Sequence, residues 1–188
     1  FDWNRRVHLY DVTIKVKGDD LPLARLPEVV LVVDRDKLAN DQEFLIQRVQ
    51  LLSPVFSFVR DEQGAWNWQK LPALPNSEEK PSLPVLEITE SEINVTLNQS
   101  ENRPPARMRL HSTEVNFVPS SKRSYDIELA TEMGESGTMT ARGNWNLDTR
   151  TWSANGKIKQ ITSSGELLGL AIGASPELRF QIARLETK

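Results

Sequence analysis

The chain contains no cysteine, which excludes disulfides, thiolate metal sites and cysteine nucleophiles. The absence does not by itself fix a compartment, though it suits an oxidising one. The two histidines, His8 and His111, have no second histidine at ligand spacing, so no metal site is expected. No apolar run is long enough to span a membrane, and no signal-peptide pattern is present. Because it opens on Phe1, the chain is expected to be a fragment or processed form, with any membrane anchor outside it. An excess of one charge is missing too. The 23 Lys+Arg and 26 Asp+Glu are interspersed, leaving a net charge of −3 and no basic stripe for nucleic acid.

Catalytic motifs are equally scarce. GESG at 134–137 is not the G-x-S-x-G nucleophile elbow and reads as a hairpin approach. Gly156–Lys157 lacks the other parts of a phosphate loop. Asp34 and Asp36 sit two apart and read as a solvated strand end rather than an acid–base pair. No catalytic residue, cofactor or enzymatic activity is expected.

Strand signals fill most of the sequence. Tyr10, Val12, Ile14 and Val16 alternate with Asp11, Thr13, Lys15 and Lys17, whereas Val7 and Leu9 have the opposite phase. A bulge or register shift near Tyr10 would reconcile them. The run 29–33, VVLVV, reads as a strand buried on both faces. Residues 44–59 supply another strand or two, broken at Ser53–Pro54, where proline implies an edge position or a bulge. The stretch 72–84 carries four prolines and reads as a linker or long surface loop. Strands resume over 85–162, an expected antiparallel continuation. There Ile93, Val95 and Leu97 share a face, as do Tyr125, Ile127 and Leu129. A long hairpin is expected to close at 148–150, with Trp145 and Trp152 as a cross-strand pair. Over 163–188 the period changes. Leu167, Leu168, Ala171 and Ile172 have helical spacing, and Ser175–Pro176–Glu177 resembles a helix start, so one or two short helices are expected. Leu178, Phe180 and Ile182 also alternate like a strand.

Five tryptophans offer aromatic area for a sugar or protein partner, or large rings that pin loops to a sheet. For Trp66 and Trp68 the neighbouring Gly64 and Asn67 are turn chemistry, which favours a structural corner.

The segment 45–71, LIQRVQLLSPVFSFVRDEQGAWNWQKL, resembles a recurrent element of the AsmA-like proteins of Gram-negative envelopes. In that element a strand interrupted by proline leads through a charged turn and a glycine to Asn-Trp and a proline-rich break. Pro54, Arg60, Gly64, Asn67, Trp68 and Leu71 occupy those places, and Pro54, Gly64, Asn67 and Trp68 form the structural signature. LYDVTIKVKGDD and LPEVVLVVDRDKL are similar to the strands that precede it, so 1–71 forms an N-terminal β-segment of this type. The resemblance implies a curved, mainly antiparallel sheet whose apolar concave face carries lipid acyl chains between membranes. It further implies a periplasmic location and anchoring to the inner membrane through regions outside this chain. Phospholipid or another acyl-chain lipid, and envelope proteins, would be the partners. Val12, Ile14, Val16, Leu31, Val33, Val95 and Leu97 would line such a groove. The same side chains would equally serve as the closed core of a sandwich. An extracytoplasmic module that binds protein or glycan through surface tryptophans is the alternative function.

Overall fold

The computed structural model describes residues 6–19, 21–41, 44–71, 83–98, 105–132, 137–149, 151–159, 161–162, 178–182 and 185–186. In chain order these form strands β1 (Arg6–Ile14), β2 (Ala24–Val33), β3 (Ile46–Leu52), β4 (Val55–Arg60), β5 (Val85–Leu97) and β6 (Ala106–Ser121). There follow β7 (Ser124–Glu132), β8 (Thr138–Asn146), β9 (Thr151–Lys159), β10 (Ile161–Thr162), β11 (Leu178–Ile182) and β12 (Leu185–Glu186). One curved sheet runs β1-β2-β3-β5-β6-β7-β8-β9-β11, with β4 continuing the line of β3, and a separate parallel pair joins β10 to β12. The mainly β, antiparallel-dominated architecture is the one expected. Parallel pairing enters where β3 and β4 meet β5, and where β11 meets β9.

Two expectations for the C-terminal part and the connections need comment. Leu178–Ile182 is a strand, not the second helix that Ser175–Pro176–Glu177 implied. Its alternating Leu178, Phe180 and Ile182 lie opposite Ala154, Gly156 and Ile158, so the open edge of β9 satisfies its backbone and outweighs a capping signal. The earlier expected helix, most of the proline-rich stretch 72–84 and all of GESG but Gly137 fall outside the described residues. Conversely, Arg35–Asn40 forms a short helix, α1, that strand patterning did not anticipate. Asp34 caps it by accepting from the Asp36 and Lys37 amides at 3.0 and 3.1 Å and from Gln47 Nε2 at 2.8 Å. These bonds, the Lys37 amide foremost, hold the Asp34 carboxyl below its usual range.

A transverse seam explains the phase changes along the strands. Leu52 pairs with Thr89 and Val55 with Glu92, so β3 and β4 are one strand interrupted at Ser53–Pro54, with Ser53 beside Glu90. Asp11 similarly lies across from Pro27, between the pairs Tyr10–Glu28 and Val12–Leu26. Asp11, Ser53, Glu90 and Ser112 have φ of +55°, +50°, +53° and +45°, one such residue at each of four sheet positions. Each inserts an extra residue and moves the apolar phase by one, from Leu9 to Val12, Leu51 to Pro54, Ile88 to Ser91 and Leu110 to Thr113. Thus the irregularity expected near Tyr10 is real, although β2 carries its own compensating break and the β1–β2 register does not slip. Pro54 occupies the bulge rather than an edge. Its neighbours Ser53 and Glu92 supply the ladder bonds, with Ser53 N–H donating to Thr89 O and Glu92 N–H to Pro54 O, both at 2.9 Å.

Small side chains fill the seam. Pro54, Ser91 and Thr113 are fully buried. Ser91 Oγ donates to the Thr113 carbonyl at 2.9 Å, and the Thr113 and Thr131 hydroxyls lie 2.6 Å apart, so burial leaves none of these hydroxyls without a partner. On β7 the backbone is regular again, and the β6–β7 register shifts by one residue at that point.

The seam predicts a reversal of ordinary strand preference. Ser112→Val should lower stability by about 1–2 kcal/mol in urea titration, because a β-branched residue resists positive φ. Ser112→Gly should stay within about 1 kcal/mol of the parent, relief of strain offsetting the extra freedom of the unfolded chain. Valine more stable than glycine here would contradict the assigned backbone.

Candidate functional site

Cross-strand register gathers the alternating apolar residues onto one face. One line of opposed side chains runs Leu9, Val29, Leu51, Ile88, Val115, Leu129, Ala141 and Gly156 across eight positions of the sheet. The next runs Val7, Leu31, Val49, Leu86, Phe117, Ile127, Gly143 and Ala154. Beyond the seam, Ile14, Ala24, Phe56, Ile93 and Leu110 continue the same face, followed by Phe58, Val95 and Met108. Ala24, Leu26 and Val29 are buried, with Val12, Leu31, Val49, Leu51 and Phe56 packed against them. Toward β7 and β8 the cover thins. Phe117, Ile127, Leu129 and Met139 are only half-buried. Among the described residues, every extensive contact between strands joins sheet neighbours, and no second layer closes this face.

From β6 to β9 the reverse face is polar. On β2, by contrast, Val30 of the reverse face is 3% exposed and Val29 of the apolar face is 6% exposed, so this strand is covered on both sides as its apolar run implied. The line Asn116, Glu128, Arg142 and Asn155 runs beside Glu114, Ala130, Thr140 and Lys157, around a shallow depression of about 710 Å³. Ion pairs cross the reverse face from strand to strand, including Arg48–Glu87 at 2.5 Å and Arg142–Glu128 at 3.1 Å. Such exposed pairs add little stability, but they keep this side hydrated.

An aromatic row marks one end of the apolar face. Phe117 meets Tyr125 edge-on at 5.9 Å, Tyr125 stacks with Trp145 at 6.4 Å, and Trp145 stands directly opposite Trp152 as expected. The two indoles are 37% and 40% exposed, so this pair offers an accessible aromatic surface. Tyr125 donates its hydroxyl to the Pro84 carbonyl at 3.1 Å, and burial pushes its pKa up, which preserves the donor. Between the tryptophans and Met139 the side chains shrink to Ala141, Gly143, Ala154 and Gly156. A Cβ on Gly143 would lie 2.3 Å from the Ser153 carbonyl oxygen, so only glycine fits the close approach of β8 and β9 there.

The proposed groove residues divide by exposure. Val12, Leu31, Val95 and Leu97 are half-buried, and Ile14 is 37% exposed. Val16 and Val33 are instead 5% and 4% exposed, so they present almost no surface to a ligand. Val16 lies past the end of β1, and Val33 ends β2 at a register shift. Beyond Val95 and Leu97, the wider part of the face, from Met108 to Met139, was legible as alternation but carried no site assignment in the sequence.

The corner after β4 is held differently from the sequence expectation. Gly64 turns the chain at φ +88°, and Arg60 Nε donates to its carbonyl at 3.1 Å. Asn67, 6% exposed, does the pinning: its Oδ1 accepts from Val59 N–H at 3.1 Å and its Nδ2 donates to Ser57 O at 2.8 Å. Trp68 is 48% exposed and does not pin the corner. The amide is short enough to reach the edge of the strand, whereas the indole is carried outward by the turn Asn67–Lys70.

Among the described residues no three His, Asp or Glu side chains gather as metal ligands, and no helix is long and apolar enough to cross a membrane. No protein-family model matches the chain, and no curated protein sequence is similar to it.

Proposed function

We propose that the apolar face shields lipid acyl chains from water, in the manner of an AsmA-like lipid-transport segment serving outer-membrane biogenesis. The observation that carries this reading is an apolar surface across the sheet, buried at Ile88, Leu110 and Val115 but half-exposed on either side of them, at Val95 and Met108 and at Phe117, Ile127 and Met139, opposite a hydrated stretch of the reverse face. Each methylene withdrawn from water there contributes about 0.8 kcal/mol, so a long chain is held without any directed polar contact. No catalytic step is involved; transport is passive movement along the face. The periplasmic setting, the inner-membrane anchor outside this chain and the envelope partners rest on the resemblance of 45–71 alone. Native mass spectrometry and solvent extraction of the purified protein test the reading. Bound phospholipid or another acyl-chain lipid is expected. A lipid-free protein that also fails to take up a fluorescent fatty acid would refute it.

A second reading is favoured by the exposed Trp145–Trp152 pair, which could stack on a sugar ring or a partner's side chain. Quenching or a blue shift of tryptophan fluorescence on adding oligosaccharide, lost in Trp152→Ala, would support it over lipid binding.

A further inference from the structure

We infer that β1 pairs edge to edge with β1 of a second copy of this chain, about a two-fold axis between Tyr10 and Asp11. Among the described residues β1 is hydrogen-bonded on one side only, to β2. It is nine residues long and has no proline, so its other side offers an extended row of unpaired backbone groups. Three large apolar side chains are exposed on this one strand: Leu9 at 42%, Tyr10 at 64% and Ile14 at 37%.

The break at Asp11 selects the register. Val7 and Leu9 precede it on the apolar face, and Val12 and Ile14 follow on the same face. An antiparallel partner keeps both apolar faces continuous only if Leu9 lies opposite the second copy's Val12 and Val7 opposite its Ile14. His8 then meets Thr13, and Tyr10 meets Asp11, so the two breaks sit side by side at the axis. Shifting the copies two residues one way sets Leu9 against Tyr10, across the two faces; shifting them the other way sets the Asp11 carboxylate against Val12. The arrangement is isologous, each contact occurring twice, and the pairing closes at two copies. It does not depend on the lipid reading, because it can be observed on lipid-stripped protein.

The test is sedimentation equilibrium of the lipid-stripped chain at micromolar concentration, joined to a cross-link. A dimer is expected, and Leu9→Lys/Ile14→Lys should raise its dissociation constant roughly tenfold or more while the far-ultraviolet spectrum stays unchanged. Both positions are partly exposed, so the fold should tolerate lysine. Independently, His8→Cys/Thr13→Cys should form an intermolecular disulfide on mild oxidation, since opposed residues of an antiparallel pair lie within disulfide range. Within one chain these positions are about 16 Å apart along the strand, too far to bridge. His8→Cys/Asp11→Cys, out of register, should cross-link far less. A monomer at every concentration, an open series of higher oligomers, or a dimer indifferent to both sets of variants would overturn the proposal.

Discussion

Asn67→Ala should cost about 3 kcal/mol of folding stability, whereas Trp68→Ala should cost less than about 1 kcal/mol, although tryptophan is the larger residue. The reason is what each side chain leaves behind. Removing the Asn67 amide strands the Val59 N–H and the Ser57 carbonyl, which it bonds at 3.1 and 2.8 Å from a position only 6% exposed. An unpaired buried polar group costs about 1–3 kcal/mol, and here there are two. Trp68 is nearly half exposed, so its truncation removes little buried surface. Urea titration followed by far-ultraviolet circular dichroism measures both variants without relying on the fluorescence of Trp68. Equal losses, or a larger loss at Trp68, would show that the indole holds the corner after all.

The contrast at Asn67 illustrates what sequence pattern could and could not convey. Alternation in β5 to β9 was plain because each residue's face follows from parity, and Trp145 fell opposite Trp152 for the same reason. Parity fails wherever a single residue is inserted. Val7 and Leu9 against Val12 and Ile14 showed one insertion, and Pro54 showed another. The insertions at Glu90 and Ser112 carry neither proline nor glycine; only the switch of apolar phase from Leu86 and Ile88 to Ile93 and Val95, and from Met108 and Leu110 to Val115 and Phe117, marks them, and it does not say which residue takes the positive φ. Their positions follow from neighbouring strands, since Ser53 and Glu90 share a place in the ladder that no linear reading can align. Asn67 was taken for turn chemistry because its partners, Ser57 and Val59, are set by how the chain doubles back. The C-terminal segment failed for a related reason. Leu178, Phe180 and Ile182 alternate, and whether that pattern or the Ser175–Pro176 signal prevails depends on the open edge of β9.

Val95→Asp and Ile127→Asp should each weaken acyl-chain binding roughly tenfold or more while leaving the protein folded. Both side chains are half-buried on the apolar face, one on each side of the seam. A carboxylate there can keep its water when the face is empty, so folding loses little. Once an alkyl chain lies over it, the charge must be dehydrated or the chain displaced, and either outcome opposes binding. Val115→Asp serves as the internal contrast. At 6% exposure its carboxylate has no route to water, and this variant should unfold. Glu128→Gln on the polar face should change neither property, since Glu128 is exposed and paired with Arg142 across the strand on the side away from the proposed site. Titration with a fluorescent fatty acid reports binding, and circular dichroism reports the fold. If all three aspartate variants unfold together, the face is a closed core and the proposed function fails. If Val95→Asp and Ile127→Asp fold and still bind with full affinity, the lipid lies elsewhere, and the exposed tryptophan pair becomes the surface to test.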